Sequence, residues 1–543
     1  MVADPSRIST NDQPSPRAET VFLSVQRIEH LIWAFITLGV IVRLARFGLR
    51  FPLWEDEAFL AYNLSRRSFA QLLQPLDYIQ VAPIGYLWLQ RAVIDLLGFS
   101  EFSLRATALL AGLASLFLMK RVAALTLPPL AQLFAIAIFA VSYPMIRYSA
   151  EAKQYGLDLF LGLTLVWLFL EMQRRPERVR WSIGLIFIAA LGPFVSHPIV
   201  FIGGGVSLAW VWLLRQGSVR NIPAWLLFNA ALVASFAVHF WFALRAVGPA
   251  NDALMQEFWG PNFPPLREPL GLPLWLIKTL TSDLLAFPIG GGRGASTLSF
   301  LLIAGGIALW IAQRRIAWLL LALVPLALHL AASALHKFPF GGHVKFSMYW
   351  APLGVILMGA AVAYVWQWNE RRARRPIALW ACLVAIALIG VGSLVRDFVR
   401  PAKTTSDLRA RDFARWLWND LPIDSVVVCA HTDLHKDFTI GLRERLNWSA
   451  SFYCNALIYS PRLRDGLPPD WSRVSSACPL RCVVYRPGGM PEDVEAQAAW
   501  LREMEQSYLL VTRDRFPLPR YSQSGRTLIC VDNVEMFVFI PRP

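Results

Sequence analysis

Three consecutive carboxylates, Glu55, Asp56 and Glu57, stand between Trp54 and Ala58-Phe59, just past a long apolar segment. Acids crowded at a membrane boundary repel one another and are costly to hold, so they form either a solvated loop or a working site. Other polar stretches favour the working site: Arg147-Tyr148-Ser149-Ala150-Glu151-Ala152-Lys153-Gln154-Tyr155, Ser196-His197-Pro198 and His343-Val344-Lys345. A carboxylate can take the proton of an acceptor hydroxyl, and a cation can steady a departing phosphate. Such a set suits sugar transfer from a lipid phosphate, whose oxocarbenium-like transition state a nearby carboxylate also favours.

The rest of the chain must bring these groups to one place. Its 543 residues are 56% hydrophobic and 16% charged, with a mean hydropathy of +0.45, too apolar for a soluble protein. Apolar stretches of about 18 to 22 residues, each long enough for a hydrocarbon core of about 30 Å, recur between Leu31 and Val395. The fold expected is a polytopic α-helical membrane protein with a small α/β unit at its C-terminal end. Short basic loops occur at Lys120-Arg121, Arg174 to Arg180, Arg215 to Arg220, Arg314-Arg315 and Arg371 to Arg375, and the positive-inside rule places them in the cytoplasm. Eleven spans result, near 29–49, 105–124, 131–146, 157–173, 181–196, 199–214, 222–243, 296–312, 316–335, 346–366 and 376–396. All the polar stretches named above then share the outer face, with the acids in an outer loop of residues 50–104.

Segment 83–99 is apolar but interrupted by Gln90, Arg91 and Asp95; counting it as a span would break the charge rule, so it reads as an interfacial helix on the outer face. The net charge of +15 sits in the short loops, which speaks against nucleic-acid binding. Residues 1–27 read as a disordered cytoplasmic tail, and the first apolar segment as a retained helix rather than a cleaved leader. The membrane domain is expected over 28–398 and a soluble extracytoplasmic α/β domain over 399–543. That domain should hold a helix at 409–421, strands at 426–428, 482–485, 508–512, 527–531 and 535–540, a helix near 491–506 and a hairpin turn at Asp532-Asn533. Five of six cysteines (Cys429, Cys454, Cys478, Cys482, Cys530) lie there, where one or two disulfides would suit an oxidising compartment. Cys382 reads as packing. Gly203-Gly204-Gly205 and Gly290-Gly291-Gly292 lack the strand, lysine and helix of a nucleotide loop.

Trp54-Glu55-Asp56-Glu57-Ala58-Phe59 resembles the Asp-Glu motif in the first external loop of type C (GT-C) membrane glycosyltransferases. The similarity extends to Ala82-Pro83-Ile84-Gly85-Tyr86-Leu87-Trp88, residues 97–105, Arg147 to Tyr155, and His343-Val344-Lys345 with Pro352. Its nearest groups are the protein O-mannosyltransferases, the lipid A aminoarabinose transferases and the rhizobial core transferases. Val81-Ala82-Pro83 departs from the His-Pro-Pro of the first group, and Ala82 from the lysine of the second. The resemblance implies that Asp56 is the catalytic base, that Glu57 orients it or holds the loop, and that Lys345, helped by His343, contacts the lipid phosphate. Lys153 falls at the family's arginine position, with Glu151 its expected partner; Arg105 and Arg147 read as snorkelling cations, Tyr155 completes the motif, and His197 reads as a packing or hydrogen-bonding residue.

The implied activity is that of an inverting hexosyl- or pentosyltransferase of the bacterial cytoplasmic membrane, working on its periplasmic side. It would move a sugar from a polyprenyl-phosphate donor to a hydroxyl of a glycolipid, lipopolysaccharide, polysaccharide or protein. A flippase of a lipid-linked glycan is the rival; it would need ionisable groups at mid-membrane and repeated halves, and neither is visible. A polytopic scaffold is a third reading, and leaves the carboxylates unexplained. No cofactor is assigned, although Glu55, Asp56 and Glu57 are the residues that could hold a divalent cation such as Mg or Mn.

Overall fold

The computed structural model describes residues 24–77, 80–246, 256, 259–373, 376–399, 411–413, 415, 416, 426–429, 471–486, 491–521 and 528–543. The chain enters as α1 (Val25–Gly48) and continues through α2 (Glu55–Arg66), α3 (Ile84–Leu97) and α4 (Glu101–Thr126). Next come α5 (Pro129–Val141), α6 (Tyr143–Tyr148), α7 (Tyr155–Arg174), α8 (Val179–Leu191), α9 (Ile199–Arg215) and α10 (Ile222–Ala246). A short α11 (Leu272–Leu280) precedes α12 (Thr297–Ala312), α13 (Ile316–Ala334), α14 (Ala351–Ala373) and α15 (Pro376–Val399).

Seven of these helices are long and apolar enough to cross a membrane, and α5, α8, α9 and α12 are shorter apolar helices. Together they fall on the eleven expected spans: this is a multi-pass helical membrane protein. Two boundaries differ in kind. The segment 131–146 is not one helix but two, because Pro144 cannot continue α5. The freed Tyr143 N–H donates instead to the Pro288 carbonyl at 2.8 Å. At the other, Ser24 Oγ accepts from the Arg27 N–H, so α1 starts at Val25, before the expected boundary at 27; residues 1–23 lie outside the described set.

α5 lies at the centre. Eleven of its thirteen residues are buried, as a sequence apolar on every side requires, and α1, α4, α14 and α15 pack around it. Gly359 lets α14 approach closely, since a Cβ there would sit 2.8 Å from the Ala131 carbonyl oxygen of α5. The C-terminal end of α5 is closed from α1, where the buried Arg43 guanidinium donates to Gly39 O at 2.9 Å and to Ala140 O at 2.8 Å. That satisfies a last-turn carbonyl and sets a cation at the negative end of a helix.

The interrupted segment is helix α3, with its polar residues spent on protein. Gln90 donates to Ser103 O and Leu104 O and accepts from Thr107, while Arg91 donates to the carbonyls of Leu64 and Arg67. Residues of two basic loops lie at the opposite end of the bundle, around the end of α4: Arg315 donates to Thr126 O at 3.0 Å, and Lys120 pairs with Glu29 at 2.6 Å. At 1.5 Å per residue the helical path from Arg105 to Thr126 is roughly 30 Å, one hydrocarbon thickness.

Beyond α15 the described residues build a four-stranded sheet of order β1-β2-β4-β3, from β1 (Val426–Cys429), β2 (Leu480–Arg486), β3 (Tyr508–Tyr521) and β4 (Leu528–Pro541). β1 and β2 are parallel and the other pairings antiparallel. α16 (Pro491–Ser507) lays Trp500 on Phe537 and Phe539 over a core that includes Leu480 and Cys482. No turn forms at Asp532-Asn533; β4 runs straight through, because β3 extends far enough to pair with both residues. Cys478 is a free thiol, and Cys482 is buried in the core of the sheet. The side chains of Cys429, Cys454 and Cys530, and most of the helix expected at 409–421, lie outside the described residues.

Candidate active site

Glu55, Asp56 and Glu57 form the first turn of α2 rather than an extended strand, so successive side chains point about 100° apart. The charges of Asp56 and Glu57 also sit at the positive end of the helix, which favours them. Glu57 turns inward and is completely buried. It accepts from Arg105 Nε at 2.8 Å, Arg105 Nη2 at 2.6 Å and the Ala152 N–H at 2.6 Å. Arg105 also donates to the carbonyls of Phe51 and Pro52. It is therefore no snorkelling cation. It is the far half of a buried pair that ties the lead-in to α2, helix α4 and the second loop together, so a role in holding the loop suits Glu57 better than direct chemistry.

Asp56 turns the other way and is partly open to solvent. Its Oδ2 lies 3.4 Å from Lys345 Nζ, a residue 289 positions away. The ammonium is boxed by aromatic rings: Trp259 at 5.1 Å, Phe346 at 5.4 Å and Tyr155 at 5.8 Å from Nζ to ring centroid. Rings placed so attract a cation through their negative faces and limit where it can move. The turn that delivers Lys345 depends on Gly341 and Gly342, at φ of 102° and 73°. A Cβ on Gly342 would meet the Asn262 amide at 2.4 Å, so both space and backbone demand glycine. His343 follows; its Nδ1 accepts from the Lys345 N–H at 3.2 Å and lies 3.1 Å from Tyr148 Oη. Tyr148 in turn meets Tyr155 edge to face at 5.0 Å.

The second loop is arranged otherwise than expected. Glu151 pairs with Arg147 at 2.5 Å, one helical turn away, and not with Lys153. Arg147 is half-buried in this pair beside the Trp54 and Tyr148 rings, so it does not snorkel either. Lys153 is buried and donates to Gln80 Oε1 at 2.9 Å. Burial holds its ammonium below the ordinary lysine range, Asp56 opposes that shift, and Lys345 adds to it. Beneath the acidic turn a small cavity of about 20 Å³ is walled by Arg46, Arg105, Arg147, Glu57, Glu151 and Asp397, and Asp397 on α15 pairs with Arg46. Tyr143 Oη donates to the same Asp397 at 2.9 Å.

His197 stands apart from this group. Its Nδ1 meets Nε2 of His239 at 2.8 Å, and burial pushes its imidazole down to about 3, which fits the hydrogen-bonding role expected of it. The residues that sequence reasoning missed are Trp259, Phe346, Gln80 and Asp397; Tyr148 stood in the stretch 147–155 without a role.

Of the acids that could hold a divalent cation, Asp56 is turned to Lys345 and Glu57 to Arg105. Among the described residues no three His, Cys, Asp or Glu side chains cluster as metal ligands, and the Glu55 side chain is outside that set.

No protein-family model matches the sequence, and no curated protein matches it. Solved structures do. ArnT from Cupriavidus metallidurans bound to undecaprenyl phosphate aligns with a TM-score of 0.50 at 12% identity, over 93% of this chain and 97% of that one. Its apo state gives 0.48 at 13% identity, over 93% and 98%. The archaeal oligosaccharyltransferase AglB from Archaeoglobus fulgidus, in complex with an inhibitory peptide and a dolichol-phosphate, gives 0.42 at 12%, over 94% and 76%. The likeness to the first of these shows the fold. It is the type C glycosyltransferase fold, as the acidic loop and the span pattern imply.

Proposed function

We propose that the chain is an inverting glycosyltransferase that moves a sugar from a polyprenyl-phosphate donor to a hydroxyl of an acceptor outside the cytoplasm. The observation that carries the reading is the meeting of Asp56 with Lys345 at a partly open edge of the bundle. The likeness to a protein bound to undecaprenyl phosphate supports the class of donor.

In the reaction the acceptor oxygen attacks the anomeric carbon as Asp56 takes its proton. The bond from that carbon to the phosphate oxygen breaks with inversion, and the phosphate keeps the electron pair. A phosphodiester becomes a phosphomonoester, so the leaving group gains one negative charge in the transition state. Lys345 leaves its contact with Asp56 to meet that charge, which frees the carboxylate as base. Lys153 adds a second positive charge, and His343 and Tyr148 hold the turn that carries Lys345. Glu57 with Arg105, and Arg147 with Glu151, act as positioning groups, and Tyr155 shapes the box around the ammonium. The catalytic domain is 28–398. The unit 399–543 lies with the active site on the periplasmic face of a bacterial cytoplasmic membrane, where glycolipid, polysaccharide or protein acceptors are met.

The test is transfer from a radiolabelled synthetic polyprenyl-phosphate sugar by the purified protein. Asp56→Asn should lower the rate by about 10²- to 10⁴-fold with donor binding retained. Full activity would remove Asp56 as base; movement of the intact donor across vesicles without bond cleavage would favour a flippase.

A further inference from the structure

At the end of the bundle opposite Asp56, two adjoining cavities of about 420 and 480 Å³ share Leu125, Thr126 and Arg315. The first is walled by the ends of α4, α12 and α14 and the start of α5; the second by the ends of α4 and α7 and the start of α13. Arg315 stands between them. Its Nη1 donates to Thr126 O, and the rest of its guanidinium makes no hydrogen bond among the described residues. Arg174 lines the second cavity and likewise pairs with no carboxylate among the described residues; Glu171, one turn before it, lies 3.8 Å from Arg175 instead. Gln173, Gln313 and Gln367 contribute amides, which donate to phosphate without adding charge. The flanks are of another character: Ile311, Ile316 and Val365 are exposed, as residues facing acyl chains would be. Trp318 and Tyr364 at the cavity walls are amphipathic rings of the kind found at a bilayer interface, and the buried Trp310 packs behind Trp318.

Nothing in the proposed transfer reaction uses this end of the molecule. We propose that the two cavities bind the head group of an anionic phospholipid with two phosphates, one in each cavity, with Arg315 shared between them. Charge complementarity selects an anion, since neither arginine has an acid partner among the described residues. The apolar flanks select a lipid over free phosphate. The division of the space by one arginine selects two phosphates over one, and basic pockets between helices at this depth are suited to such heads. Bound there, the lipid would clamp the ends of α4, α7, α12 and α14.

The experiment uses the full-length protein, purified in detergent, stripped of lipid and titrated with cardiolipin, phosphatidylglycerol or phosphatidylethanolamine, with retained lipid read by native mass spectrometry. Cardiolipin should be held in preference to both others. Arg174→Gln should weaken it by about 5-fold, and the double variant with Arg315→Gln by about 30-fold. Arg315→Gln also removes the bond to Thr126, so Gln313→Glu provides a variant that leaves that bond in place and brings a like charge to the phosphate; it too should weaken retention about 5-fold. Equal retention of all three lipids, or cardiolipin binding unchanged in both R174Q and Q313E, overturns the proposal. Equal retention of phosphatidylglycerol and cardiolipin, lost together in the variants, overturns its two-phosphate form.

Discussion

Replacing Glu57 with glutamine tests whether this acid holds the site or reacts in it. The carboxylate is fully buried, receives two N–H groups from Arg105 and one from Ala152, and when neutralised leaves Arg105 without its hydrogen-bonded counter-charge. Removing one member of a buried pair costs about 3–5 kcal/mol. Glutamine keeps one carbonyl oxygen for these donors, so E57Q belongs near the low end, about 3 kcal/mol. Arg105→Met should cost a similar amount by stranding the acid. The double variant Glu57→Leu with Arg105→Met exchanges the pair for apolar groups, and should recover most of the loss. Asp56 is the adjacent residue, so the transfer rate per folded molecule in E57Q should also fall by about 10- to 100-fold, as a displacement near 1 Å produces. Unfolding in detergent followed alongside transfer gives both quantities. Stability of E57Q within about 0.5 kcal/mol of the parent, or a double variant no better than the sum of the single ones, would refute the reasoning.

Lys345→Met should lower kcat by about 10²- to 10³-fold, because the phosphate gains its charge in the transition state, and Lys345→Arg should retain part of the rate; an effect on donor KM alone would count against that role. Lys153, held below the ordinary lysine range by burial, loses its proton before a free lysine at about 10.4 would. Donor KM should therefore climb earlier on the alkaline side, and Lys153→Arg should move that rise to higher pH. Stability should show the opposite sign: the folded state binds fewer protons, so the cost of the buried ammonium is full below its folded pKa and eases as pH rises toward the unfolded value. Gly359→Ala should destabilise by about 1–3 kcal/mol through contact with Ala131 and Ala135, despite alanine's better helix propensity, as thermal unfolding would reveal.

The span pattern was legible because a bilayer imposes a length on every crossing, and apolar runs report it directly. The meeting of Asp56 with Lys345 was legible for a related reason: counting crossings puts both on one face, which leaves little area for them to miss one another. Side-chain partners were less so. Arg105 and Glu57 are 48 residues apart, and nothing local distinguishes a buried arginine at a helix end from a snorkelling one. Trp259 lies in a Pro/Gly-rich loop without periodicity, so no pattern announced its place over Lys345. The choice of Arg147 by Glu151 was within reach, since the two are at i and i+4, and Tyr143-Pro144 was a readable break inside an expected span.

The closure of α5 by Arg43 has a consequence for biogenesis. Ala140, whose carbonyl receives that guanidinium, is made 97 residues later. At translation speeds of about 5–20 residues per second, α1 waits roughly 5–20 s in the bilayer before its acceptor emerges from the ribosome. Until then the acceptor within reach in its own helix is the Gly39 carbonyl, so full burial of the Arg43 charge is coupled to the synthesis of α5.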